Sequence, residues 1–480
     1  KTWMPDNLPL VSPSKKYVVN HSSQHNLINA IRTCLKFGIN HFETARFYGT
    51  SEMQFAHAFQ HLFQTGEVNR EDIILQTKVP VKENRKEFDK MWDATWKHIG
   101  PVFKYIDLFA FHCISNKEGI KQVLSEEDDM SMAAVLQYQA EGKIKHIGFS
   151  THGTANGIME LVNSEKFDYI NIHAHYFGDY HAEGSQNTLH GPHGNKQIVK
   201  RALQLDMGVF NISPFDKGGR VYAPSKTQAR LIGPDVSPIS FACWTAWKHQ
   251  GIHTISIGLA RPSDLDEPIM AAKLYAEGKY EQLLQASFQR LEKHKEDVLG
   301  KEWVQKGLLN LPTCEDEESH GTAIGHVLWC HNLMKAFGMY DFCKERYQNL
   351  ETAPWNKSKS FEENAKKFSS GNMGRAYDKN VDYIRALSRH YDPQLAEKKM
   401  AEAHEWLSDK TNKTGIDRKA MDCEEAYDLR CWEAYPGEAN LSLSGVLLQN
   451  LSMGYLGVGG GPTKTFATYA KELKDAIQAI

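Results

Sequence analysis

The feature that most constrains this chain is a regular series of short β-rich stretches in its first 275 residues. The starts of successive stretches are separated by 34, 32, 38, 25, 39 and 45 residues, which is the length of one strand, one helix and two loops. The stretches are NHFETA (40–45), ILQTKV (74–79), IDLFAFH (106–112), IKHIGFS (144–150), YINIHAH (169–175), GVFNISP (208–214) and HTISIGLA (253–260). YVVN (17–20) is a plausible additional strand before them. Eight βα units predict a parallel sheet covered on both faces.

Eight such units can close on themselves, so we predict an α/β fold, a (β/α)8 TIM barrel, over residues 1–275. An open doubly wound sheet is the alternative, but no Gly-x-Gly-x-x-Gly follows the first predicted strand. Residues 24–37 predict one of the intervening helices, with apolar side chains on one face and Gly38 as its C-terminal cap.

Residues 276–480 have a different sequence pattern, without strand-like runs at regular spacing. We predict a mostly α-helical C-terminal extension, with helix-like stretches at 321–350 and 394–407 and a flexible stretch near 351–380. The glycine-rich stretch 457–465 lacks the Gly-Lys of a phosphate loop, which favours a flexible tail.

Composition narrows the function classes. The net charge of −3 argues against nucleic-acid binding, and without an apolar run of 18 residues no membrane span is expected in this soluble chain. The eight cysteines form no Cys-x-x-Cys pair, which argues against a disulfide framework, zinc ribbons and iron–sulfur clusters.

Four polar residues fall at or just after the ends of three consecutive predicted strands: Glu43, Tyr48, Lys78 and His112. Catalytic groups of a parallel barrel sit at this end, so the four would share one mouth. An ammonium lowers the pKa of a nearby phenol, a carboxylate holds the ammonium, and an imidazole can orient a carbonyl oxygen. Such a set would protonate an oxygen that gains charge as hydride reaches its carbon. Taken singly, the residues are also consistent with a structural ion pair, loop packing and a core histidine.

The motifs that carry these residues resemble the aldo-keto reductase family over about residues 15–275. They are GINHFETARFYGTSE (38–52), ILQTKV (74–79), IDLFAFH (106–112) and GKIKHIGFSTHG (142–153). The later part is similar to the extension of a larger subgroup, some of whose members add an iron–sulfur domain, although the cluster cysteines are absent here. The resemblance implies a barrel that uses NADPH without a Rossmann domain.

By this resemblance Tyr48 is the general acid, Lys78 tunes it and His112 orients the carbonyl group. Glu43 stands where the family usually has Asp, and its side chain is one methylene longer. Asn171 stands at the usual Gln, and Ile212 stands where an aromatic ring usually stacks on the nicotinamide.

The resemblance also implies the remaining cofactor contacts. Ser150 and Thr151 match the Ser-Asn pair that holds the nicotinamide carboxamide. The loop that starts at Ser213 and contains Lys217, Gly218 and Arg220 is expected to bind the pyrophosphate. The residues implied for the adenosine end are Arg261 and Ser263 for a 2′-phosphate, and Glu267 for the adenine.

The function implied is an NADPH-dependent oxidoreductase that reduces an aldehyde or ketone, or oxidises the alcohol. The departures at Glu43, Asn171 and Ile212 keep an alternative open: a catalytically silent subunit, acting as a scaffold or nucleotide-sensing component of a larger assembly. The partners expected are a small carbonyl substrate and, through the extension, a protein. The subgroup resemblance suggests the cytoplasm, or the plastid stroma if a transit peptide has been removed.

Two further features concern the barrel mouth. A metal site is conceivable from the histidines between 173 and 193, but no carboxylate or cysteine spacing supports one, so no metal is predicted. Residues 181–195 are interpreted as a polar loop over the mouth. Candidate apolar residues lining the pocket are Trp92, Trp96, Phe177 and Tyr180.

Overall fold

The structure is a computed structural model, and it describes residues 21–178, 195–249, 251–259, 262–366, 368 and 374–408. The predicted strand 17–20 lies outside the described residues, as do Tyr180, Arg261, residues 181–194 and the glycine-rich stretch 457–465.

Within the described residues, seven parallel strands form one sheet in chain order. They are β1 (His41–Glu43), β2 (Ile74–Val79), β3 (Ile106–Phe111), β4 (Ile144–Ser150), β5 (Tyr169–Ile172), β6 (Gly208–Ile212) and β7 (Thr254–Ser256). The end strands β1 and β7 lie close to each other, as a hydrogen bond from the Ser256 hydroxyl on β7 to Glu43 on β1 shows. The sheet is therefore a nearly closed barrel, and the predicted α/β barrel is confirmed.

Helices lie between the strands and form an outer layer. They are α1 (His21–Lys36), α2 (Ser51–Gln64), α3 (Arg85–Phe103), α4 (Lys117–Leu124), α5 (Ser131–Ala140), α6 (Ala155–Asn163), α7 (Asn195–Gln204), α8 (Lys226–Ile232), α9 (Pro238–His249) and α10 (Asp266–Ala276). Side-chain caps start several of them: Asn84 accepts from the backbone N–H of Glu87, and Asn116 from that of Gly119. Gly38, two residues after α1, has φ +74°, the left-handed conformation expected after a helix end.

Among the described residues after Ala276, which end at residue 408, the chain is helical, as predicted there. The helices of this part are α11 (Glu281–Leu299), α12 (Lys301–Lys306), α13 (Ile324–Phe337), α14 (Tyr340–Glu351), α15 (Phe361–Ala365) and α16 (Pro393–Leu407). Together, α11–α16 are called the helical region below. None of the described helices is long and apolar enough to cross a membrane.

Two hydrophobic cores hold the molecule together. One lies between the sheet and helices α1–α7. The other joins α8 and α9 of the barrel to α11, α13, α14 and α16, so the helical region packs directly on one side of the barrel. The Trp329 indole N–H donates to the backbone oxygen of Phe177 across this contact, at 2.8 Å. The division at residue 275 stays a prediction, since α10 ends at Ala276 and the second core spans both parts.

Candidate active site

Three strand ends bring the predicted catalytic residues together. Glu43 ends β1, Lys78 lies one residue before the end of β2, and His112 directly follows β3. Tyr48 lies in the loop between β1 and α2. Because parallel strands end on the same side of the barrel, all four side chains reach one mouth.

An ion pair forms the centre of this cluster. The Lys78 ammonium, only 1% exposed, donates to Glu43 Oε1 and, at 3.3 Å, to the backbone oxygen of Thr44. Ser256 donates to the other oxygen, Oε2. Burial alone would raise the pKa of Glu43, but Lys78 and Ser256 outweigh it and lower that pKa to about 2. Burial lowers the pKa of Lys78, yet Glu43 and Tyr48 reverse the shift, so its pKa is raised and the pair is charged at neutral pH.

Tyr48 lies against this pair and against the imidazole. The Lys78 Nζ atom is 5.2 Å from the centre of the Tyr48 ring, and the rings of Tyr48 and His112 meet edge to face at 5.6 Å. Burial raises the pKa of Tyr48 and Lys78 lowers it, with burial the larger influence. The expected effect of Lys78 is present, but the net pKa lies above the usual value. The phenol therefore keeps its proton at neutral pH and can donate it.

A second buried charge pair, which sequence reasoning missed, fixes the loop that carries Tyr48. The Arg46 guanidinium donates to Glu52 at 2.5 Å. The other oxygen of Glu52 accepts from the hydroxyls of Thr77 and Thr95 at 2.9 and 3.0 Å. Arg46 and Glu52 bracket Tyr48 in the sequence, so opposite charges flanking a catalytic candidate were the available signal.

The ends of β4 and β5 hold the residues predicted to bind the carboxamide. The Ser150 hydroxyl accepts from the backbone N–H of Cys113 at 2.9 Å, and the Thr151 hydroxyl accepts from that of Gly153 at 3.0 Å. Asn171 is the register neighbour of Ser150 and is fully buried. Neither the oxygen nor the nitrogen of its side-chain amide has a hydrogen-bond partner among the described residues. This buried amide can therefore both accept from and donate to a ligand.

Three buried histidines form a hydrogen-bonded chain beside this site. Ring nitrogens of His173 lie 2.9 Å from His152 and 3.1 Å from His175. Sequence reasoning identified His173 and His175 and missed His152, which belongs to the neighbouring strand end. Burial lowers the pKa of His175 to about 3, with Lys217 acting in the same direction. Among the described residues, no group of three or more His, Cys, Asp or Glu side chains could hold a metal ion.

The loop after β6 has the tight backbone expected of a phosphate loop, but its arginine is engaged. A Cβ atom on Gly218 would lie 2.2 Å from the backbone oxygen of Pro214, so only glycine fits there. Ser213 has φ +50° in the same loop. Arg220 forms an ion pair at 2.6 Å with Glu345 on α14, so the helical region contacts the predicted pyrophosphate site.

The predicted adenosine end is rich in carboxylates. Ser263 lies in the turn Pro262–Leu265, and Glu267 lies in the first turn of α10. Burial, with Glu267 and Asp264 nearby, raises the pKa of Asp266 to about 8. Burial also raises the pKa of Glu267, and its hydrogen bond from Ser237 opposes this. The roles of Ser263 and Glu267 stay predictions.

The predicted pocket-lining residues are partly corrected. Trp92 on α3 is 1% exposed and stacks on Tyr138 of α5 at 4.2 Å and on Trp96 at 5.3 Å. Both tryptophans therefore pack between two outer helices, and the prediction that they line the pocket is wrong. Helix α3 turns its apolar face towards α5 and the sheet, which sequence reasoning did not resolve. Phe47 was missed: it precedes Tyr48 and is 47% exposed.

A comparison with known protein families gives one match. Residues 12–226 match the aldo/keto reductase family. This match covers a little less than half of the chain and indicates an oxidoreductase. No curated protein sequence matches the chain.

Solved aldo-keto reductases resemble the structure at low identity. MGS-M4, an aldo-keto reductase from a Medee basin deep-sea metagenome library, is 16% identical with a TM-score of 0.41, covering 57% of this chain and 88% of its own. AKR11C1 from Bacillus halodurans, in its holo form, is 17% identical with a TM-score of 0.41, covering 56% and 87%. The aldose reductase of Schistosoma japonicum is 16% identical with a TM-score of 0.35, covering 50% and 77%.

Proposed function

We propose that this aldo/keto reductase domain is an NADPH-dependent oxidoreductase that reduces an aldehyde or ketone, or oxidises the corresponding alcohol. The observation that carries the proposal is the cluster of Glu43, Lys78, Tyr48 and His112 at one barrel mouth. It combines a proton donor, a fixed positive charge and an imidazole in a largely buried site.

Tyr48 acts as the general acid in reduction. Its phenol gives a proton to the carbonyl oxygen as that oxygen gains negative charge, a contribution of about 10²- to 10⁴-fold in rate. The phenolate left behind is stabilised by the neighbouring Lys78 ammonium. Glu43 keeps that ammonium charged despite its burial.

His112 orients the substrate. Its ring meets the Tyr48 ring edge to face, so a carbonyl oxygen that accepts from one side chain lies near the other. Its half-buried position limits competition from water. Phe47, exposed beside Tyr48, offers an apolar contact to the rest of the substrate.

The residues at the ends of β4 and β5 fit a nicotinamide, which supplies the hydride when bound. A carboxamide has one acceptor oxygen and an NH₂ donor, and the Asn171 amide, which no described residue hydrogen-bonds, complements both. The Ser150 and Thr151 hydroxyls, which accept from backbone N–H groups, can each still donate one hydrogen bond. For the rest of the cofactor, the candidates are Ser213, Lys217, Gly218 and Arg220 at the pyrophosphate, Arg261 and Ser263 at the 2′-phosphate, and Glu267 at the adenine.

A silent subunit is the second candidate, and two observations favour it. Glu345 of the helical region already neutralises Arg220. Ile212, on β6, offers no ring to stack on a nicotinamide. In that case the barrel would bind a partner or sense a nucleotide without turnover.

The experiment that separates these candidates is a titration of purified protein with NADPH and with NADH, read by tryptophan fluorescence. A panel of aldehydes and ketones follows, with NADPH consumption measured by absorbance. We expect NADPH to bind about tenfold or more tightly than NADH, because charge-assisted hydrogen bonds to the extra phosphate contribute about 1.5–3 kcal/mol. The variant Arg261→Ala should remove that preference. Folded protein that binds neither nucleotide, or binds NADPH without reducing any carbonyl, would contradict the proposal and favour the silent subunit.

A further inference from the structure

Ser256 connects the two end strands of the barrel at the candidate active site. β1 and β7 are the first and last strands in the sheet order. The Ser256 hydroxyl on β7 donates to Oε2 of Glu43, whereas Oε1 accepts from Lys78 on β2. One carboxylate is therefore held from both sides, by β2 and by β7.

The second contact matters because of the length of the glutamate side chain. Glu43 has three rotatable side-chain bonds, and its side chain is 13% exposed. A carboxylate held only through Oε1 could turn about that bond and exchange its oxygens. With Oε2 also bonded, its orientation is fixed. An aspartate is one methylene shorter, so from the same backbone position on β1 we expect it not to reach both neighbours.

The position of Ser256 suits this role. It is partly buried at the last residue of β7 and is the register neighbour of Ile212 on β6. Its side chain points to the same face of the strand as that of Thr254, two residues earlier. A serine hydroxyl has one proton, and here that proton is directed to the carboxylate.

We propose that Ser256 is a positioning residue for the reaction: by holding Glu43, it keeps the Lys78 ammonium beside the Tyr48 phenol. This inference rests on the proposed function. Ser256 touches neither the substrate nor the reacting atoms and acts through Glu43. Its effect falls on proton donation by Tyr48 and leaves nucleotide binding at the ends of β4–β6 unaffected.

The size of the effect follows from the sensitivity of catalysis to geometry. Without the hydroxyl, the Glu43 carboxylate samples other orientations, and the ammonium that follows it no longer keeps one distance from the phenol. A misplacement of about 1 Å can cost about 100-fold in rate, and a freed carboxylate spends only part of its time misplaced. We therefore expect an intermediate loss of about tenfold.

The test is a set of single-turnover measurements of hydride transfer by full-length protein loaded with NADPH. Ser256→Ala should lower the rate about tenfold while the carbonyl concentration that gives half of the maximal rate changes less than about twofold, because only the positioning of the acid is altered. Ser256→Thr keeps a hydroxyl and should recover the rate to within about threefold of the wild type. Thr254→Ala, on the same face of the same strand, is the matched control and should leave the rate unchanged.

A double-mutant cycle with Glu43→Asp tests whether Ser256 affects the rate through Glu43. Since we expect Asp not to bridge both neighbours, adding Ser256→Ala to Glu43→Asp should change the rate by less than about twofold. Equal losses from Ser256→Ala in both backgrounds, or an unchanged rate in the single variant, would overturn the positioning role. If the wild type transfers no hydride and matches Tyr48→Phe, the proposed function itself fails. If the wild type transfers hydride, Tyr48→Phe does not, and Ser256→Ala leaves the rate unchanged, only the inference about Ser256 is rejected.

Discussion

The two sides of the barrel mouth handle their polar groups differently. On the side of β1–β3, Glu43 and Lys78 pair with each other, and Glu52 pairs with Arg46 beneath the Tyr48 loop. On the side of β4–β6, the Asn171 amide is buried without a partner among the described residues, and Arg220 pairs with the helical region. On the first side each of these charged groups meets an opposite charge within the barrel, whereas on the second side, among the described residues, both polar atoms of the Asn171 amide remain available for a ligand.

This difference separates chemistry from binding. Buried charges are tolerated on the first side because each has an opposite charge and further hydrogen bonds. Such a cluster is preorganised before any substrate arrives. The Asn171 amide, which lacks a hydrogen-bond partner within the described part of the chain, costs stability in the free protein, and a ligand that completes its hydrogen bonds recovers that cost.

The largest expected loss of stability comes from removing the Lys78 charge on the first side. Lys78→Met leaves the Glu43 carboxylate buried without its ammonium and should lower the free energy of unfolding by about 3–5 kcal/mol at pH 7. Chemical denaturation measures this change. The double variant Glu43→Gln/Lys78→Met removes both charges and is the control, because it should recover most of the loss. A double variant as unstable as the single one would show that the charges are not coupled.

The same pair gives a pH dependence with a definite sign. The folded-state pKa of Glu43, about 2, lies below the usual 4.5. Its ion pair therefore contributes stability above about pH 4.5, and this contribution is lost as pH falls through about 2. In Lys78→Met, burial instead favours the protonated acid. The stability difference between wild type and Lys78→Met should thus narrow as pH falls below about 4.5. A gap of equal size at pH 3 and pH 7 would contradict this account.

On the second side we expect a smaller change in the free energy of unfolding of the ligand-free protein, and this change is an increase. Asn171→Leu removes a buried amide that has no partner among the described residues, so it should raise the free energy of unfolding by about 1–2 kcal/mol while weakening NADPH binding about tenfold. The matched control is Asn211→Leu, because the Asn211 amide is also fully buried but bonds the backbone N–H and oxygen of Ala174 at 3.2 and 3.0 Å. That variant should be destabilised. Equal destabilisation of both variants, or unchanged NADPH affinity in Asn171→Leu, would remove the distinction between the two sides.

Much of this arrangement could be predicted from the sequence, because it depends on local patterns. The apolar stretch 74–79 is β2, residue for residue, and spacing alone brought Glu43, Lys78 and His112 to one end of the barrel. The predicted strand 169–175 is shorter in the structure: β5 ends at Ile172, where His173 enters the histidine chain.

What could not be predicted depends on tertiary closure. Ser256 and Glu43 are 213 residues apart, and Arg220 and Glu345 are 125 apart. Such contacts are set by how the barrel closes and where the helical region packs, which strand periodicity does not encode. The direction of the net pKa shift of Tyr48 could not be predicted from the sequence either, because it depends on how far the folded protein excludes water from the phenol.

The most direct test of the central claim is the rate of hydride transfer in Tyr48→Phe. Phenylalanine keeps the ring that meets His112 and removes only the phenolic oxygen. With NADPH and a carbonyl substrate in single turnover, we predict a fall of about 10²- to 10⁴-fold in rate and an NADPH affinity within about twofold of the wild type. An unchanged rate in Tyr48→Phe would contradict the assignment of Tyr48 as the proton donor.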